Sequence, residues 1–161
     1  PGKKVTITRL AERRTGLIVA AGNPLNIQGL DDLARPQIRF INRQAGSGTR
    51  VWLDANLERM GISPERINGY EDERTTHSEV ARTIAEEKAD AGLGLESAAR
   101  AFNLDFVFLV QECYDLAAFT QTASREPLST LLSWLKTESA RLAIGQLQGY
   151  QSENTGLQFE I

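Results

Sequence analysis

A single cysteine, Cys113, and a single histidine, His77, are all that this chain of 161 residues offers a soft or borderline metal. A lone cysteine excludes an internal disulfide, and with one histidine it excludes a zinc site of the Cys/His kind. Cys113 therefore reads as a small core or strand residue. Long apolar runs are missing too: the longest, residues 17–21 and 106–110, have the length of a strand and fall far short of a membrane span. Positive charge is not in excess, since 18 Lys and Arg face 21 Asp and Glu for a net charge of -3. Without a basic face, direct contact with nucleic acid is not expected. The chain opens on Pro1-Gly2-Lys3-Lys4 with no initiator methionine or apolar leader, as a processed or excised form would.

What is present is a globular composition, 41% hydrophobic and 24% charged, in a chain long enough to bury a core. Its most informative stretch is residues 38–50. Ile38, Phe40 and Ile41 favour a strand, Gly46 and Gly48 permit a tight turn, and Ser47 or Thr49 can cap a helix carrying Trp52 or Leu53, Leu57 and Met60 at helical spacing. A strand that turns into a helix start aims unpaired amides, and the positive end of the helix dipole, at one point in space. Such a point binds anions. Arg43 and Arg50 flank the turn, and the Ser47 and Thr49 hydroxyls add directional donors. The stretch has neither the third glycine of a dinucleotide fingerprint nor the Gly-Lys-Ser/Thr of a phosphate loop, and Ser47 is not in a nucleophile elbow.

Along the chain, residues 5–8 read as a short strand, 10–14 as a polar connector and 16–21 as a buried strand ended by Gly22-Asn23-Pro24. One or two helical turns precede Pro36. Gly61 closes the helix after the central turn, and Ser63-Pro64 opens a brief one. Residues 69–70 read as extended and 71–74 as a charged loop. Thr76 and Glu79 have capping-box spacing for a helix with Val80, Ala81, Ile84 and Ala85 on one face. A small-residue strand at 89–94, a helix at 96–102, two strands at 106–110 and 114–119, and one long helical segment from Pro127 to about Leu147 complete the pattern. The tail from Gly149 shows no period. Strands alternating with helices predict an α/β protein with mostly parallel sheets, whose ligands lie at the carboxyl ends of strands.

The series Phe40 to Arg50, Gly69-Tyr70, His77 to Ala81, Ala89 to Gly94, Leu104-Asp105-Phe106 and Tyr114-Asp115-Leu116 resembles the type II periplasmic-binding-protein-like domain. It is most similar to the molybdate/tungstate-type branch found fused to helix-turn-helix regulators or to MoeA-like molybdenum-cofactor biosynthesis proteins. The resemblance implies one ligand-binding domain over 1–161, made of two α/β lobes joined by crossing strands. One lobe would be about 1–23 with 112–161, apparently lacking the family's opening strand and helix, and the other about 24–111. It places Ser47, Gly48 and Thr49 as anion contacts, Arg43 and Arg50 as charge partners, His77 and Ser78 at a second helix start, and Tyr114 near the hinge.

The function so implied is a non-catalytic binding or sensor module for a small oxyanion, molybdate or tungstate before sulfate or phosphate, with no cofactor or metal. No acid–base pair or activated nucleophile is recognisable, so an enzyme of cofactor biosynthesis ranks last. An inducer-type sensor for a small organic carboxylate ranks second, with Trp52, Tyr70 and Tyr114 as lining for its body. The expected partners are the anion, a fused or associated helix-turn-helix or biosynthetic domain, and a second copy through an open strand edge. The expected location is cytoplasmic, or extracytoplasmic for a transport component.

Overall fold

In the computed structural model, which describes residues 4–161, the first element is one long strand, β1 (Val5–Val19). The polar stretch 10–14, expected as a connector, lies inside it. The same holds for β5 (Asp105–Phe119), where residues 111–113 were expected to divide two strands. The reason is cross-strand pairing: Arg9 donates to Asp115, Arg13 Nε to Glu112 at 3.0 Å, and Thr6 and Thr120 hydroxyls meet at 3.0 Å. These pairs run in opposite directions along the two strands, so β1 and β5 are antiparallel, and their polar middles pair with each other rather than breaking the ladder.

Between them come β2 (Phe40–Arg43), α1 (Gly48–Met60), β3 (Glu73–Arg74), α2 (His77–Ala85), β4 (Ala91–Leu95) and α3 (Glu96–Ala101). After β5 follow α4 (Thr120–Ala123), α5 (Leu128–Leu135), α6 (Glu138–Gly145), β6 (Tyr150–Gln151) and β7 (Gln158–Glu160). The expected single helix beyond Pro127 is thus two, because Thr137 Oγ1 accepts the Ala140 amide at 3.2 Å and starts α6 afresh. The charged loop at 71–74 contains β3, and residues 69–70, expected to be extended, form a turn with Gly69 at φ +91°.

Strand order is β3-β2-β4-β1-β5, with β6 and β7 also on β1. Pairing is parallel for β2 with β3 and β4, and antiparallel for β1 with β4, β6 and β7. The α/β class holds, but the sheet is mixed rather than mostly parallel. Helical crossovers α1 and α2 keep β2, β3 and β4 parallel. The link from β1 to β2 carries only a 3-10 turn, Leu30–Ala34, and reverses the chain.

The chain forms two compact units, one of Arg14–Val110 and one of the residues up to Arg13 with Gln111–Ile161. Residues 14–23 pack in the first of these. Its core has two parts: Leu17, Phe40, Leu53, Leu57 and Leu93 under α1, and Ile18, Ile41, Val80, Ala81 and Ile84 under α2. The other unit is organised on Ala123, Leu132 and Leu135, with Leu10, Leu116 and Ile144 against them. Cys113 is a strand residue, on β5, and exposed rather than in a core.

Candidate functional site

The parallel ladder of β2 and β3 decides where chemistry can gather. Asn42 pairs with Glu73 and Arg43 with Arg74, and the ladder runs on as the Asn42 amide donates to Asp72 O at 2.8 Å and the Gln44 amide to Arg74 O at 3.0 Å. Both strands therefore end at the same edge. From the end of β2 the chain turns through Gly46 at φ +82°, a left-handed conformation suited to glycine, and enters α1. From the end of β3 it passes through Thr75 and Thr76 into α2.

Each helix start is capped by its own sequence. Ser47 Oγ accepts the Arg50 amide at 3.3 Å. Thr76 Oγ1 accepts the Glu79 amide at 3.1 Å, while Glu79 Oε2 accepts from the Thr76 amide at 2.9 Å and the Thr75 amide at 3.0 Å. The Thr75 hydroxyl, 2.6 Å away, is the main cause holding the Glu79 carboxyl below its usual range. Helix geometry leaves the first-turn amides of Gly48 and Thr49 in α1, and of Ser78 in α2, without an intrahelical acceptor. Gly48 and Ser78 are exposed, Ser47 is half-buried and Thr49 is buried.

Arg43 joins the two starts. Only 8% exposed, it ends β2 and reaches across the edge, where Nη2 donates to Thr75 O at 2.9 Å and Nη1 lies 2.8 Å from both ring nitrogens of His77. The imidazole sits over β4, since a methyl added at Gly94 would come 3.5 Å from His77 Nδ1. Arg50 is turned elsewhere. At 7% exposure, its Nε donates to Asp54 at 2.9 Å, its Nη1 to Glu73 Oε1 at 3.1 Å, and its guanidinium stacks 4.1 Å over the Tyr70 ring. Burial opposes the Arg50 charge, but the contacts to Tyr70 and Asp54 outweigh it and hold the group firmly protonated. Burial likewise pushes the Tyr70 phenol up, and its hydrogen bond to Asp54 adds to that, so the hydroxyl remains a donor.

This edge, two helix starts beside the carboxyl ends of adjacent parallel strands, is where open α/β sheets take ligands. A family model described as the PBP superfamily domain matches residues 1–136. The chain belongs to the PBP superfamily. Among relatives of this PBP superfamily domain, the uncharacterized protein YvgK of Bacillus subtilis strain 168 is 37% identical over 155 residues. The alignment covers 96% of the present chain and 50% of YvgK, so the chain spans about half the length of that relative. Many solved structures share the fold, and three of them are instructive. One, from Clostridium perfringens, is named as a phosphate ABC transporter substrate-binding protein with bound phosphate, with TM-score 0.66, 14% identity, and coverage of 91% of this chain and 71% of that one. A second, from Clostridium difficile, is named as the substrate-binding domain of a molybdenum ABC transporter, with TM-score 0.62, 15% identity, and coverage of 90% and 67%. PEB3 with bound L-phospholactate has TM-score 0.57, 18% identity, and coverage of 90% and 68%.

Of the residues expected in the site of this PBP superfamily domain, Arg43, Ser47, Gly48, Thr49, His77 and Ser78 gather at the one edge. Arg50 stands behind the turn in an ion-pair network, and Tyr114 belongs to the other unit, exposed, with the Arg13 guanidinium 4.6 Å over its ring. Residues not expected include Asn42, fully buried, whose Nδ2 donates to Tyr70 O at 3.0 Å, and Glu73, whose Oε1 accepts the Ala45 amide at 3.1 Å. An asparagine in a buried strand must find partners, and Asp54 four residues after Arg50 was a legible helix pair. Nothing in the sequence marked Glu73, whose role depends on the parallel pairing. Among the described residues no group of three or more His, Cys, Asp or Glu is placed to hold a metal, and no helix is long and apolar enough to cross a membrane.

Proposed function

We propose that this PBP superfamily domain binds a small tetrahedral oxyanion at the carboxyl edge of β2 and β3, and that binding rather than catalysis is its work. The carrying observation is that the starts of α1 and α2 lie beside the ends of two hydrogen-bonded parallel strands, with buried Arg43 spanning them through Thr75 and His77. Amides, hydroxyls and one guanidinium form a donor set for an anion's oxygens. Molybdate and tungstate are the ligands the resemblance favours, and both need donors only. A compact ion suits the surroundings better than an organic carboxylate. Two of the aromatic residues available to line a carboxylate's body are committed, Trp52 against the core under α1 and Tyr70 beneath Arg50. A role as sensor for a fused regulatory or biosynthetic partner is part of the same proposal.

The test is calorimetric titration with molybdate, tungstate, sulfate and phosphate in turn, on the parent and on the Ser47→Ala, Thr49→Ala double variant. The reading expects micromolar or tighter binding of at least one ion. The double variant should lose at least about tenfold, the scale of one or two hydrogen bonds to a charged ligand. Equal affinity in a folded double variant would remove this turn from the site.

A further inference from the structure

Arg50 carries a positive charge one residue after Thr49, yet its geometry serves another purpose. Nε and Nη1 are given to Asp54 and Glu73, Nη1 also reaches Arg43 O at 3.4 Å, and the face of the guanidinium lies on Tyr70. Glu73 Oε1 accepts from Arg50 and, at 3.1 Å, from the Ala45 amide in the turn that precedes α1. One ion pair thus holds the last carbonyl of β2, the first residue of β3 and the middle of the turn at fixed separations.

We propose that Arg50 and Glu73 are positioning residues that clamp the 44–47 turn, so that the α1 amides are set for the anion before it arrives; this rests on the oxyanion reading above. Preorganised donors bind more tightly because less ordering remains to be done on association. The consequence runs against simple electrostatics. Removing a carboxylate near an anion site should tighten binding by relieving like-charge repulsion, whereas removing a clamp should weaken it.

Glu73 is exposed, so its replacement leaves the core intact. The experiment compares parent, Glu73→Ala and Glu73→Gln, each checked by thermal melting, in two readouts: affinity for the tightest of the four oxyanions, and hydrogen exchange of the Ala45 amide without ligand. Glutamine keeps an acceptor for Ala45; alanine does not. The clamp predicts about tenfold weaker binding and at least about tenfold faster Ala45 exchange in Glu73→Ala, with Glu73→Gln within about threefold of the parent in both. Unchanged or tighter binding in Glu73→Ala would overturn it, as would equal loss in both variants, which would place the effect in the charge pair alone. If the parent binds none of the four ions the oxyanion reading fails, and Ala45 exchange still decides whether the clamp exists: faster exchange confined to Glu73→Ala upholds it, and exchange equal to the parent's refutes it.

Discussion

Glycine 92 lies where α2 rests on β4, and replacing it with alanine tests that packing directly. A methyl built there would stand 2.5 Å from Val80 Cγ1, 2.7 Å from Ile41 Cγ2 and 2.8 Å from Ile41 O. Favourable carbon contacts begin at about 3.5 Å and carbon–oxygen contacts at about 3.3 Å, so the neighbours must retreat by roughly 0.5–1 Å, Val80 the furthest. None can do so cheaply. Val80 and Ile41 are buried in the same cluster, and the third neighbour is a backbone carbonyl in the β2 ladder. Overpacking of this kind costs about 1–3 kcal/mol, and at roughly 2–4 °C per kcal/mol for a chain of this size the midpoint should fall by about 2–12 °C. Gly48→Ala provides the contrast, because nothing lies within 4 Å of its added methyl and it sits in the first turn of α1. Alanine there should leave stability unchanged or raise it by up to about 1 kcal/mol. The assay is thermal unfolding followed by circular dichroism, with the three proteins in one buffer. A Gly92→Ala midpoint at or above the parent's would refute the close approach of α2 to β4, and with it the placing of His77 and Ser78 at the edge.

Three further outcomes are expected. Thr76→Ala should cost about 1 kcal/mol by removing the acceptor for the Glu79 amide, measured by urea unfolding at neutral pH; no loss would mean that Glu79 alone caps α2. The Glu79 carboxyl is held below its usual range, so its capping contribution is complete above the unfolded value near pH 4.3 and fades as pH falls through the folded value. Glu79→Gln should therefore narrow its stability gap to the parent in acid, and a gap independent of pH would contradict that. Arg43→Lys keeps the charge but cannot reach Thr75 O and His77 as a planar fork. It should weaken oxyanion binding about tenfold in calorimetry, and an affinity equal to the parent's would make Arg43 a bystander.

Local chemistry made much of this protein legible. The turn at Gly46-Ser47-Gly48, the Thr76–Glu79 capping box and the αL closure at Gly61 each depend on residues a few positions apart, and all three stand in the structure as the sequence led one to expect. The double-length strands β1 and β5 were not legible, because their polar centres are explained only by each other: Arg9 finds Asp115 and Arg13 finds Glu112 across about a hundred residues. The short β3, β6 and β7 carry too few residues for a period, and they exist through pairing with β2 or β1. At the site the same division holds. The helix starts were readable, whereas the sorting of Arg43 to the edge and Arg50 to the clamp depends on where Glu73, Tyr70 and Thr75 fall in space.

The most direct measurement is a titration of the isotopically labelled chain with each oxyanion, followed through its backbone amide resonances. The account predicts that Gly48, Thr49, His77 and Ser78 shift together and saturate at one ion per chain, while amides in α5 and α6 stay still. Saturable binding that leaves those four amides unmoved, or no saturable shift with molybdate, tungstate, sulfate or phosphate, would contradict it.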